Sequence, residues 1–440
     1  MPKRRKHRKD ATKASGEDFI SALPDAVLQV VLSYLPSDET VRTCVLARRW
    51  RHLWKSTPAL RVYRDDEEQW PAEKLNRFVN HLLLHRDRLP VDECEFNCYQ
   101  YFPQEEGVLF QFAESWIRDA VSLLGARVLK ACIHTRDYYL PLYNWAFISQ
   151  RLMVVEFSYV ILQFRNLDFS GCPALESLKM HCCTIHTDKI ISQSLRRLSI
   201  TRCYFELNAR TCISAPCVVS LQLADLSGRA PLLENMPSLV TAYVRFNGGS
   251  NGYDICRHKG YYVDCDNDGC NGHYDGDGSN CVLFGGLSGA TNLELISDPH
   301  VFIFRKNCIR CPTFSMLKTL LLNEWCAVAD FGALVCFLRH TPVLEKLTIQ
   351  LPRYKTKHRA IEVYESYNPT EHFIVLDHLK VVEIKCYKED ELVHKIIQIL
   401  STFGVVPSEQ IGIQVIPWDI ETLWFTESFK FEQRNEDPGF

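Results

Sequence analysis

No apolar run in this chain is long enough to cross a bilayer; the longest, such as VLQVVL, stop after a few residues, so no membrane-spanning helix is expected. A strong charge of one sign is lacking too. The formal net charge is -3, which offers no general attraction to nucleic acid or to anionic lipid, so neither is expected as a partner. The basic start MPKRRKHRKDATKASGEDF has no apolar h-region behind it, and export to an oxidising compartment therefore has no visible route. Chemistry-bearing motifs are scarce as well. There is no GxxxxGKS-type phosphate loop, no H-E-x-x-H helix and no Gly-rich strand-to-helix turn, and Ser288 in GGLSGA lacks the context of a nucleophile elbow. No catalytic residue, resident metal or cofactor is expected.

What is present is an ordinary globular composition, 46% apolar and 23% charged, on 440 residues. That length exceeds what one core usually organises and calls for several domains or an array that grows by stacking. The 19 cysteines fall mostly among Leu, Ile and Val, and read as reduced thiols packing as small hydrophobes in a soluble protein of the cytoplasm, the nucleus or both.

Residues 1–17 are basic and polar and read as a disordered tail. Lys3, Arg4, Arg5, Lys6, Arg8 and Lys9 suit either a nuclear import signal or plain solvation. Over 18–60, apolar residues at Val27, Leu28, Val31, Leu32 and Leu35 mark one face of a helix that Pro24 opens and Pro36 ends. Ser37 is placed as the N-cap of a second helix, with Asp38 and Glu39 suited to its dipole, and Val41, Val45 and Leu46 give its apolar side. Trp50, Leu53 and Trp54 continue the pattern through a basic third helix. Each buried Leu or Val contributes roughly 1.5–3 kcal/mol, too little from so few residues to offset chain entropy comfortably, so this module should lean on a partner.

From about 85 to 375 short L-x-x-L-x-L segments recur. Leu175, Leu178, Met180, Cys183 and Ile185 fill one copy of L-x-x-L-x-L-x-x-N/C-x-L, and Leu195, Leu198, Ile200, Cys203 and Phe205 the next. Weaker copies start at Val128, Leu152, Val218, Leu239, Leu317, Leu344 and Leu379, with another around Leu293 and Leu295. No such unit can bury its apolar face alone, so they stack into a solenoid with a curved parallel sheet. Lys179, Arg197, Gln222, Tyr243, Arg245, Lys346, Glu383 and Lys385 fall at outward strand positions, where a concave face would bind a ligand and an ordinary sheet would merely meet solvent.

The Gly-, Asp- and Asn-rich stretch 247–281 reads as an exposed loop. Asp264, Asp266, Asp268, Gly269 and Asp275 have the spacing of a calcium loop without its flanking helices, and Cys256, Cys265, Cys270, His273 and Cys281 have no regular zinc spacing. The isolated pair Cys308 and Cys311 lacks a second pair, and adjacent Cys182 and Cys183 are ill placed to share a tetrahedral ion. Residues 376–416 read as strand, acidic turn, helix with Leu392, Ile396, Ile397 and Leu400 on one side, and final strand, followed by a tail over 417–440.

The strings LPDAVLQVVLSYLP and TCVLARRWRHLW resemble the F-box of plant F-box/FBD/LRR-repeat proteins, and HLKVVEI with its acidic turn and helix resembles their FBD module. The resemblance implies an α/β chain: a three-helix F-box, a leucine-rich-repeat solenoid and an FBD-like cap. It further implies a non-catalytic substrate-recognition subunit of a Skp-cullin-F-box ubiquitin ligase. In that reading Leu23, Pro24, Val27, Leu28, Val31, Leu32, Val45, Leu46, Trp50 and Trp54 bind a Skp-type adaptor and, through it, cullin, while the repeats hold an unknown target protein. The alternative is a repeat scaffold without a ligase role.

Overall fold

The computed structural model describes residues 20, 22–64, 71–87, 89–100, 106–135, 138–206, 209–246, 281–297, 303–308, 310–327, 331–351, 376–405 and 410–415. The expected calcium loop, the tails 1–17 and 417–440, and all of the irregular cysteine set except Cys281 lie outside these residues.

Among the described residues, thirteen strands form one parallel sheet in strict chain order. They are β1 (Ala59–Arg64), β2 (Glu93–Gln100), β3 (Val128–Thr135), β4 (Val154–Ser158), β5 (Ser177–His181), β6 (Arg197–Thr201) and β7 (Ser220–Ala224). The series continues with β8 (Thr241–Phe246), β9 (Asn292–Ser297), β10 (Thr319–Asn323), β11 (Lys346–Gln350), β12 (Val381–Cys386) and β13 (Ile411–Val415). Register follows the repeat pattern: Leu198 pairs with Leu178 and Leu221, and Ile200 with Met180 and Leu223. These inward side chains are fully buried, as are the anchors Leu152, Leu175, Leu195, Val218 and Leu317 that precede their strands. The sheet begins at Ala59, well before the repeats expected from position 85.

Helices cover the first turns: α1 (Asp25–Leu32) and α2 (Ser37–Arg42) precede β1, α3 (Ala72–His85) returns β1 to β2, and α4 (Glu106–Ser122) returns β2 to β3. Between Leu140 and Leu233 the return segments are instead strands of two and four residues or so, which stack into separate five- and four-stranded parallel sheets. Each coil there turns its first corner on a left-handed residue directly after the long-sheet strand, namely Tyr159, Cys182, Arg202 and Asp225, with φ of 50–55°. The cost of these non-glycine conformations is met by a recurring bond from each corner N–H to a carbonyl at the end of the next strand, at 2.8–3.1 Å. Gly228 is required where it stands: φ is +82°, and a Cβ would lie 1.8 Å from the Phe205 carbonyl oxygen.

The buried cysteines follow the packing reading. Cys183 is buried, its N–H donates to Cys203 Sγ at 3.3 Å and its thiol donates to the Phe157 carbonyl at 3.4 Å. Burial pushes the thiols of Cys94, Cys98 and Cys326 up to about 12, which keeps them protonated and inert. After β10 come a short turn, α7 (Gly332–His340) and β11; before it lie α5 (Phe284–Leu287) and α6 (Ile303–Cys308). The last helix, α8 (Glu391–Thr402), is capped by Asp390, whose carboxylate accepts from Leu392 N and Val393 N, and it joins β12 to the edge strand β13. Val393, Ile396 and Leu400 are its buried stripe, with Leu392 and Ile397 partly covered. Among the described residues no helix is long and apolar enough to cross a membrane.

Candidate functional site

Two surfaces stand apart from the core. The first is built by the N-terminal helices, whose own interior is only Leu28, Leu32 and Leu53, with Leu35 and Trp50 against them. That cluster is too small to cover the other apolar side chains. Val27, Val30, Val31 and Tyr34 on and after α1 stay exposed, and Val45 and Leu46 are 82% and 67% exposed. Leu23 and Pro24 sit at the head of α1, tied to the far end of the module because the Arg49 guanidinium donates to the Leu23 carbonyl and pairs with Asp25 at 2.6 Å.

Three expectations change here. Leu28 and Leu32 do not belong to the open face, since 3.6-residue periodicity turns them towards Leu53; they hold the face up from behind. Ser37 is not an N-cap, because α2 starts on it after Pro36, and its hydroxyl instead accepts from Arg61 N at 3.0 Å. The third helix is two short 3-10 turns, Arg48–Arg51 and Leu53–Ser56, and Trp54 packs against the main core rather than opening outward. Val30, Tyr34 and Arg49 were missed. Val30 and Tyr34 lie off the inward stripe by which α1 was recognised, and Arg49 acts across the module.

Arg61 fastens the helical module to the sheet. Its Nε donates to the Ser33 carbonyl at 2.9 Å and its guanidinium pairs with Glu93 and Glu95 on β2. Burial alone lowers its affinity for a proton, yet Glu93, Tyr63 and Glu95 more than offset this, and the guanidinium is held above its ordinary range.

The second surface is the outward face of the long sheet. Over β1 to β5 one row reads Arg61, Glu95, Lys130, Glu156, Lys179, an alternating ladder in which Lys130 reaches Glu93 at 2.9 Å and Lys179 reaches Glu156 at 2.7 Å. The expected ligand-contact residues are likewise engaged with neighbours. Arg197 lies 3.6 Å from Glu176, Gln222 accepts from Ser199 at 2.7 Å, Arg245 meets Asp225 at 3.1 Å, and Lys346 meets Glu383 at 2.7 Å. Tyr243 requires a correction. Although it sits at an outward position it is 6% exposed, closed in by Ala224, Ile296 and Leu321 from adjacent turns, and so is not an open contact residue.

Along one edge of this face, rings from successive strands meet: His134 stacks on Tyr159 at 4.1 Å, with Tyr99, Tyr139 and His181 around them at 5.0–6.3 Å. Sequence reasoning missed this patch, which only the register brings together. Burial lowers the proton affinity of both His134 and His181, opposed in the first by the bond its ring N–H donates to the Thr135 carbonyl, and in the second reinforced by the Arg202 charge and opposed by that of Asp225. Both imidazoles are therefore neutral at pH 7, and the patch is aromatic rather than cationic. The sign of the linkage follows. Each folded-state value lies below that of the unfolded chain, so the unfolded chain takes up protons first, and stability falls as pH drops through about 6.5 until the folded state protonates too. Unfolding midpoints measured from pH 7.5 to 5 are expected to fall less for His134→Gln than for the unmodified chain.

A family model for the F-box domain matches residues 20–61, the module that carries the open apolar face. Relatives from Arabidopsis thaliana include a putative FBD-associated F-box protein, 28% identical over 271 residues that span 53% of this chain and 61% of the relative. An F-box/FBD/LRR-repeat protein is 27% identical over 269 residues, 53% of this chain and 58% of the relative. An F-box/LRR-repeat protein is 28% identical over 255 residues, 52% of this chain and 82% of the relative. The chain therefore spans less than two thirds of the length of the first two.

Proposed function

We propose that this plant F-box/FBD/LRR-repeat protein is the substrate-recognition subunit of a Skp-cullin-F-box ubiquitin ligase, with the F-box face seated on a Skp-type adaptor and the long sheet presenting a target protein. The observation that carries the reading is the apolar surface of α1 and the Val45–Leu46 turn, which its own small interior leaves uncovered. A stable monomer seldom keeps Val27, Val31, Tyr34, Val45 and Leu46 together in water, and a helical partner groove would bury them.

In this reading the chain supplies no acid, base or nucleophile to the transfer of ubiquitin. It raises the effective concentration of a target lysine near a charged conjugating enzyme held elsewhere on the cullin, and the gain comes from proximity and orientation. The Arg61 joint matters for that role because a rigid link between module and sheet fixes where the target is held.

Co-expression with a Skp-type adaptor tests the proposal. The two chains are expected to co-purify at equal stoichiometry, and the change of Leu23 and Pro24 to Ala is expected to weaken the complex. Repeats that remain monodisperse and bind no adaptor would support the plain scaffold instead.

A further inference from the structure

The sequence leaves Cys308 and Cys311 as a pair without a counterpart, and the fold supplies one. Cys308 ends α6 and Cys311 follows it by three, while α7 presents Cys336 and His340 one helical turn apart on the same face. The ligand atoms of Cys311, Cys336 and His340 all lie within 4.8 Å of one another.

We propose that Cys311, Cys336 and His340 bind one zinc ion, and that Cys308, outside their cluster but with its carbonyl 3.5 Å from Cys336 Sγ, turns in as the fourth ligand to close a tetrahedral site of three sulfurs and one imidazole nitrogen that staples α6 to α7. The linear pattern is C-x2-C-x24-C-x3-H, two short pairs separated by one turn of the solenoid.

The two halves are held ready without an ion. Buried Asn307, beside Cys308, accepts from Leu283 N at 2.9 Å, Phe284 N and the Cys281 thiol, and donates to the Ile303 carbonyl, which fixes the end of α6. On the other side Phe314 N donates to the His340 carbonyl at 2.8 Å, tying the segment after Cys311 to the end of α7. Nδ1–H of the imidazole donates to the Cys336 carbonyl at 2.8 Å, which orients the ring and makes Nε2 the nitrogen that would ligate the ion. The Cys336 thiol also donates to the Cys308 carbonyl at 3.5 Å. Thiols and an imidazole suit a borderline-soft divalent ion, and binding zinc releases the thiol protons to solvent. With four protein ligands no position is left for water, so the role is structural.

Full-length chain, co-purified with its adaptor and without chelator, is the sample. Zinc by plasma mass spectrometry is expected at about one per chain, and reduced, zinc-stripped protein given cobalt(II) is expected to show the intense visible bands of a tetrahedral thiolate site. Cys311→Ser, Cys336→Ser and His340→Gln are expected to lose that spectrum and bind less than about a fifth as much zinc, whereas the exposed Cys217→Ser keeps both. Should a variant fail to fold, the spectrum of the unmodified chain decides. Protein with no bound zinc and no tetrahedral cobalt spectrum overturns the proposal, as does a disulfide among these cysteines in freshly lysed cells, or metal that all the substitutions leave in place.

Discussion

Replacing Val45 and Leu46 together by aspartate is expected to abolish capture of a Skp-type adaptor while leaving the chain folded. Both side chains are mostly in water in the free chain, so their loss removes nothing from the fold. In the complex each would be buried, a contribution of roughly 1.5–3 kcal/mol apiece. Together that is about 3–6 kcal/mol, or on the order of a hundred- to ten-thousandfold in affinity, before the added cost of pressing two carboxylates into an apolar groove. Pull-down and titration against the adaptor read the effect, and unchanged circular dichroism and unfolding midpoint establish that it is local. Leu28→Ala is the contrasting variant: it empties part of the module's interior and is expected to lower stability by about 2–5 kcal/mol, with binding reduced only as the module loosens.

The largest loss of stability is expected from Trp325→Ala. This indole is fully buried between Phe304 and Phe337, with ring centroids at 4.9 and 6.2 Å, and its Nε1 donates to the Leu295 carbonyl at 2.9 Å. Truncation removes about 3–5 kcal/mol through lost burial and the cavity left behind. Because a solenoid couples each turn mainly to its neighbours, the damage should concentrate in the turns around β9 to β11 and spare the F-box module. Urea unfolding followed by hydrogen exchange checks both parts: a lower midpoint, with protection lost there first and adaptor binding retained.

Much of the architecture could be read because the repeats state it twice. Leu178 and Met180, then Leu198 and Ile200, place alternate inward positions, and their anchors Leu175 and Leu195 fix the spacing, so the parallel sheet follows from burial alone. The second and third sides of the coil were not legible. Their strands, such as Thr184–His186 and Tyr204–Phe205, are too short for alternation to register. The helices α3 and α4 were not legible either, because a helical return does not carry the L-x-x-L-x-L pattern. In the F-box module the apolar stripe of α1 was visible, but which half of it faces inward depends on Leu53, which no period in the sequence ties to Leu28.

The binding residues divide in the same way. Alternation places Lys179, Arg197, Gln222 and Glu383 outward, yet it cannot show that Tyr243 is closed over by Ala224, Ile296 and Leu321, since those come from three other strands. Likewise the pair Cys308 and Cys311 is uninformative until topology carries α7 against α6 and brings Cys336 and His340 to it. Local chemistry is written in the chain; convergence of distant residues is set by register.

Amide hydrogen exchange on the full-length chain, with and without a Skp-type adaptor, tests the account most directly. Adaptor binding should slow exchange over the backbone of 23–34 and 43–50 and leave the strands from β4 onward unchanged and free for a target. Unchanged exchange over those two segments at saturating adaptor, or protection that falls on the long sheet instead, would contradict it.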